Sequence, residues 1–292
     1  VNRLIHMMQL SALLALAVST PSFAAGPDGV PEGASAEQIA ANETAARIGE
    51  QMYQHDRAAW RASDELNAQL RPEDRPDYLT YITEELDNGN IRVVFYTKLE
   101  EALVEFVVFE IDRGNVVSAK MHDDPSQHPL SDLLLKKVAA RDVAMQQGAE
   151  QKLPLCRSGA ANYVTLPPDD EGMIAVYILS PPVIPGRFPL GGHYRFMIDA
   201  EGEAVSGRAF ENSCLDAPRF ERYVHNAPEN FPFVHVLDPH PTEIHHFAAR
   251  YMNLALQVTA AEVTWNIDYV RWTDEEIAAG EAMANGVMPG SQ

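Results

Sequence analysis

The chain has 292 residues, is 46% hydrophobic and carries a formal charge of −20 at pH 7. Such acidity argues against DNA, RNA and anionic membrane surfaces as partners, because all repel a negative protein. The length and apolar content provide for one large or two small domains with a buried core.

Residues 1–24 predict a secretory signal peptide. Arg3 gives a positive start and Leu10 to Val18 is a short uncharged apolar run. Ser22-Phe23-Ala24 then sets small residues before a cut between Ala24 and Ala25. The run is shorter than the about 20 residues that cross a bilayer. No second long apolar run follows, so the expectation is a soluble protein with no stable membrane insertion after signal removal. With Val1 taken as a literal GUG start, the expected compartment is the periplasm. Cys156 and Cys214 are the two cysteines of the chain, and in an oxidising compartment they are expected to form a disulfide.

After a Gly- and Pro-rich spacer, Ser35 and Gln38 form a capping-box signature. Ile48, Met52, His55, Ala59 and Leu66 continue at helical spacing. A helical region from Ser35 to Leu70 is predicted, stopped by Pro72 and Pro76, with Trp60 anchoring it on the body. Three strands follow, at Ile91–Lys98, Val104–Ile111 and Val116–Met121, separated by Asn/Gly/Asp turn clusters. They read as an antiparallel meander with at least one covered face. Pro129 to Gln147 returns to helical spacing and is ended by Gly148.

Further strands are predicted at Asn162–Leu166, Met173–Leu179, His193–Ile198, Ala204–Phe210, Phe231–Leu237 and Leu256–Asp268. Asp199 to Gly202 makes a hairpin turn. Thr273 to Asn285 is a C-terminal helix with its own capping pattern. The expected class is α+β, because helices and strands come in runs. An N-terminal helix packs on a small antiparallel meander (residues 25–128). A larger, mostly antiparallel sheet unit with its own helix follows (129–272), then the C-terminal helix and tail (273–292).

LDPHPTEIHHF, residues 237–247, concentrates the chemistry. Five of the ten histidines lie between positions 225 and 246. As a strand, the segment puts Glu243, His245 and Phe247 on one face and Ile244 and His246 on the other. As a helix, it stacks His240, Glu243 and His246. His240, Glu243, His245 and His246 are therefore candidate ligands for zinc or copper. The spacing is not that of HExxH, and a structural histidine–carboxylate network is the competing reading.

LGGHYRF, residues 190–196, is the second candidate. Its two glycines allow a tight turn or a close approach. His193 and Arg195 then share a strand face, suited to a carboxylate or phosphate ligand or to an ion pair with the abundant acids. Tyr194 lies on the other face. No GxSxG, Walker or GxGxxG sequence is present.

GGHYRF, the segment RAFENSCL (Arg208 to Leu215), VLDPHPTEIH (Val236 to His245) and a later strand carrying Trp265 resemble a family of uncharacterised exported proteobacterial proteins. The resemblance covers roughly residues 130–268. It implies an exported α+β architecture, favours a strand over a helix after Pro241-Thr242-Glu243, and implies no activity. Two readings of function result. One is a non-enzymatic periplasmic protein that binds a small ligand or protein partner or supports the envelope. The other is a metal-binding protein or metal-dependent hydrolase centred on residues 240–246.

Overall fold

A computed structural model describes residues 31–220 and 228–268. The predicted signal peptide, His225 and the helix expected at 273–285 lie outside the described residues. The described residues form an α+β fold.

Helix α1 (Ala36–Gln69) is one continuous helix of 34 residues. The predicted capping box starts it: the Ser35 N–H donates to Gln38 Oε1 at 2.8 Å, and the Gln38 N–H donates to Ser35 Oγ at 3.2 Å. Strands β1 (Thr80–Glu85), β2 (Ile91–Leu99), β3 (Ala102–Asp112) and β4 (Asn115–Met121) form an antiparallel sheet in sequence order. β1 is additional to the predicted meander. Its sequence, TYITEE, ends in two acids and lacks the branched-aromatic run that marks β2 and β3.

Both faces of this sheet are covered, which explains why β2 and β3 are apolar almost throughout. Ala58, Ala62 and Leu66 of α1 pack on Val93, Phe95 and Phe109. Helix α2 (Asp132–Glu150) lays Leu134 and Val138 over Val94 and Tyr96 on the opposite face. Gly148 does not end α2 but sits inside its last turn, where a Cβ would come within 2.9 Å of Ile178 Cδ1. Trp60 does not anchor α1 either. It is 45% exposed and carries the Arg57 guanidinium over its ring.

The second region begins with β5 (Asn162–Thr165), β6 (Ile174–Leu179), β7 (Arg187–Leu190), β8 (Tyr194–Ile198), β9 (Ala204–Ala209) and β10 (Leu215–Pro218). An antiparallel sheet runs β5-β6-β8-β9, while β7 and β10 pair only with each other. Both of these short strands contain proline, which cannot donate to a ladder. The other side of α2 covers this sheet through Ala140 and Ala144 against Val176, Ile178 and Phe196. The helix is thus shared by the two sheets.

The last region is β11 (Asn230–His235), α3 (Glu243–Met252), β12 (Ala255–Ala260) and β13 (Val263–Ile267). β11 runs parallel to β12, with α3 as the crossover, and β12 pairs antiparallel with β13. The strand favoured after Pro241 is therefore corrected to a helix, in which Ile244, Phe247, Ala248 and Tyr251 share one apolar stripe at helical spacing.

Helix α3 crosses α1 at Gly49. A Cβ there would lie 2.6 Å from both Glu243 O and His246 Cβ. Gly49→Ala is therefore expected to destabilise the protein by about 1–3 kcal/mol, an overpacking cost. In an exposed helix the same change would stabilise by roughly 1 kcal/mol. The midpoint of urea unfolding decides between the two signs.

Asp56, also on α1, is buried and accepts a hydrogen bond from the Tyr251 hydroxyl of α3. Burial raises its pKa to about 6, against the opposing effects of Tyr251 and Arg57. The unfolded carboxyl titrates near 3.8. Between these values the folded state holds a proton that the unfolded state has lost, so stability falls as pH rises, by about 3 kcal/mol in all. Asp56→Asn keeps an acceptor for Tyr251 and removes the charge. The variant is expected to melt above the parent at pH 7.5 and level with it near pH 4. A gap independent of pH would assign the effect to packing.

Candidate functional site

The two glycines of LGGHYRF serve the disulfide. Cys156 and Cys214 are bonded, with 5.4 Å between their Cα atoms. Gly191 has φ +126° and Gly192 φ +60°; a Cβ on Gly191 would meet Ser213 O at 2.1 Å, and one on Gly192 would meet Ser180 Oγ at 2.4 Å and Cys156 N at 2.7 Å. Only residues without a side chain let this strand entrance slide past both cystine arms.

His193 follows and is fully buried. The backbone N–H of Ser180 donates to its Nδ1 at 3.2 Å, and its Nε2–H donates to Pro189 O at 2.8 Å. Both nitrogens are thereby committed to holding β6, β7 and β8 together. Burial lowers its pKa to about 4. The Ser180 hydroxyl donates to Gly192 O, not to the imidazole. Tyr194 donates its hydroxyl to Pro154 O at 2.6 Å. Arg195 is paired with Glu243. Its Nη1 donates to Glu243 Oε1 at 2.6 Å, and Tyr177 adds its hydroxyl to the same oxygen at 3.0 Å.

The four residues proposed from positions 240–246 each take a different partner. His240 is half-buried and bonds its own neighbour, with Nδ1 at 2.9 Å from Pro241 O. Glu243, the first residue of α3, holds Arg195. His246 Nε2 donates to Asn42 Oδ1 of α1 at 3.0 Å. Only His245 turns toward other histidine and acidic groups. Its position as third residue of α3 makes it part of the helix cap: the Thr242 N–H donates to His245 Nδ1 at 2.9 Å.

A polar centre forms around His245 from three separate segments. His235 closes β11 and is 2% exposed; Glu211 follows β9. His235 Nδ1 lies 3.1 Å from Glu211 Oε1, and His245 Nε2 lies 3.2 Å from the same oxygen. The other nitrogen of His235 meets Asp238 Oδ2 at 2.8 Å. Arg208 of β9 clamps Asp238 with both terminal nitrogens, at 2.9 and 2.6 Å. The aligned order is Arg208, Asp238, His235, Glu211, His245, alternating in charge as far as Glu211.

Electrostatics follow that order. Burial works against a charge on His235, but the bonds to Glu211 and Asp238 outweigh it and raise its pKa. Burial likewise opposes the Asp238 carboxylate, yet Arg208 and His235 bring it down to about 2. Glu211 is held below the usual carboxylate range by His235 and His245, again against its own burial. For His245 burial wins, and the imidazole is pushed toward the neutral form.

Among the described residues, Glu211, His235 and His245 offer ligand atoms that all lie within 4.8 Å of one another. Sequence reading named His245 and missed the other two as ligands. Glu211 sits in the RAFENSCL segment, three residues before the cystine arm Cys214. No local spacing joins it to His235 and His245, because the fold of β9 beside β11 does so. The only advance signal was the density of histidines up to residue 246. Compared with known proteins, the chain matches no family model, no curated protein and no solved structure.

Proposed function

We propose that the protein is an exported periplasmic protein that acts by binding, without covalent catalysis. The observation that carries this reading is the built disulfide. Cys156 and Cys214 are bonded, and Gly191 and Gly192 are shaped to the bridge, an arrangement that persists in oxidising compartments and is rare in the cytosol. It agrees with the signal-like order of residues 1–24. No helix among the described residues is long and apolar enough to cross a membrane.

The binding half of the reading is supported by how the reactive groups are spent. His193, which lies beside Ser180, has both nitrogens bound to backbone groups, and the Ser180 hydroxyl is tied to Gly192. A nucleophile needs a base within hydrogen-bond reach, and this pair does not supply one. The test is to express the full chain in a Gram-negative host and fractionate the cells. Recovery from the periplasm, with a mass reduced by residues 1–24 and no free thiol, is the expected outcome. Full-length protein with two free thiols in the cytoplasm would remove the reading.

A further inference from the structure

We propose that Glu211, His235 and His245 form a binding site for a single divalent transition metal, zinc foremost. The inference names a ligand for the binding reading above and rests on it. Export and metal uptake are measured separately, so the two can fail separately.

Three features of the geometry carry it. First, the ligand set is right for zinc: two imidazole nitrogens and one carboxylate oxygen, with a further position left for water or another donor. Bonds of about 2.1 Å in a tetrahedron set neighbouring ligand atoms about 3.4 Å apart. The distances here are 3.1 Å from His235 Nδ1 to Glu211 Oε1 and 3.2 Å from His245 Nε2 to the same oxygen. All three ligand atoms lie within 4.8 Å of one another, so an ion is held once the side chains adjust around it.

Second, His245 Nε2 is buried, 3.2 Å from a carboxylate, and still has no hydrogen-bond partner among the described residues. Such a nitrogen in a 1% exposed residue loses its hydration with a carboxylate contact, but no formed hydrogen bond, in return. A metal ion at the centre would complete it.

Third, the outer shell on the His235 side is in place. Its far nitrogen, Nε2, faces Asp238, and Arg208 fixes that carboxylate from behind. A carboxylate behind a ligating histidine sets the tautomer and raises ligand basicity. The location is also a natural one, at the carboxyl end of parallel strand β11 and beside the start of crossover helix α3.

His245 imposes a condition. With Nε2 on the metal, its proton moves to Nδ1, which now accepts the Thr242 N–H. Nδ1–H then donates a hydrogen bond to the Thr242 hydroxyl oxygen, 3.0 Å away, and the cap bond from the backbone is given up. Metal binding and that bond are alternatives, so uptake loosens the first turn of α3.

The experiment uses the exported full chain, purified without a tag or chelator, stripped with a chelator and then titrated with zinc and with cobalt(II). One equivalent of zinc is expected. Cobalt is expected to show the intense visible absorption of a four-coordinate ion. Glu211→Gln and His235→Gln are each expected to weaken zinc binding at least tenfold, while His240→Ala leaves it unchanged. If His235→Gln fails to fold by circular dichroism, Glu211→Gln and the cobalt spectrum decide. No uptake, uptake indifferent to Glu211→Gln, or a weak six-coordinate cobalt spectrum would each overturn the proposal.

Discussion

Glu243→Ala is expected to cost about 3 kcal/mol of folding stability, read from urea unfolding at pH 7. The carboxylate is buried at the first position of α3, and it reaches across to two strands of the neighbouring sheet. It receives Arg195 from β8 and Tyr177 from β6 on one oxygen. Breaking a buried ion pair from one side costs roughly 3–5 kcal/mol, because the surviving charge keeps its desolvation and loses its partner. Arg195 retains 26% of its side-chain exposure, so some water returns to the guanidinium and the lower end of that range applies. The variant also loses a negative charge at a helix N-terminus, worth a further few tenths. A double variant, Glu243→Ala with Arg195→Met, is expected to recover more than half of the loss. If the single variant loses under about 1 kcal/mol, the pair is not what docks α3 on the sheet.

Removing the disulfide should be at least as damaging. Cys156 and Cys214 are separated by 58 positions. A loop of that length, in the chain-entropy account, contributes about 4 kcal/mol by restricting the unfolded chain. The span holds β5 to β9, so the bond closes the whole four-stranded sheet of the second region into one ring. Its loss also leaves Gly191 and Gly192 facing a gap. The Cys156→Ser, Cys214→Ser protein is expected to unfold at markedly lower urea, with a steeper slope, because the unbridged unfolded chain exposes more surface. Reduction of the parent should reproduce the shift. An unchanged midpoint after complete reduction would show that the sheet holds its ends without the bond.

How much of this could be read in advance depended on whether the signal was local. The Ser35–Gln38 box, the branched-aromatic strands β2 and β3 and the Asp199–Gly202 turn each lie within a few residues, and each stands where it was expected. Helix α3 was legible only as one of two alternatives. EIHHFAARYM has an apolar stripe at helical spacing, yet the resemblance favoured a strand, and the segment is buried from its first residue through Ala249, between α1 and the strands. The parallel pairing of β11 with β12 went unread for the same reason, since it depends on the crossover being a helix. The polar centre was half legible. His245 was named from its neighbours in sequence, whereas Glu211 is joined to it through a contact between distant segments. LGGHYRF was legible as a place of close approach, though what approaches is the cystine and not a ligand.

The contacts of α1 set the timing of the fold as well as its shape. Its bonds run to residues about 200 positions further on: Gln38 to Pro239, Asn42 to His246, Asp56 to Tyr251. Met52 and Gly49 are buried by that same late segment. A chain made at about 5–20 residues per second leaves the first helix waiting roughly 10–40 s for its mate. Through that interval an apolar stripe of α1 stays uncovered, open to association with other nascent chains. The meander can assemble on the far end of the helix meanwhile, but closure over the near end must wait for residues 239–251.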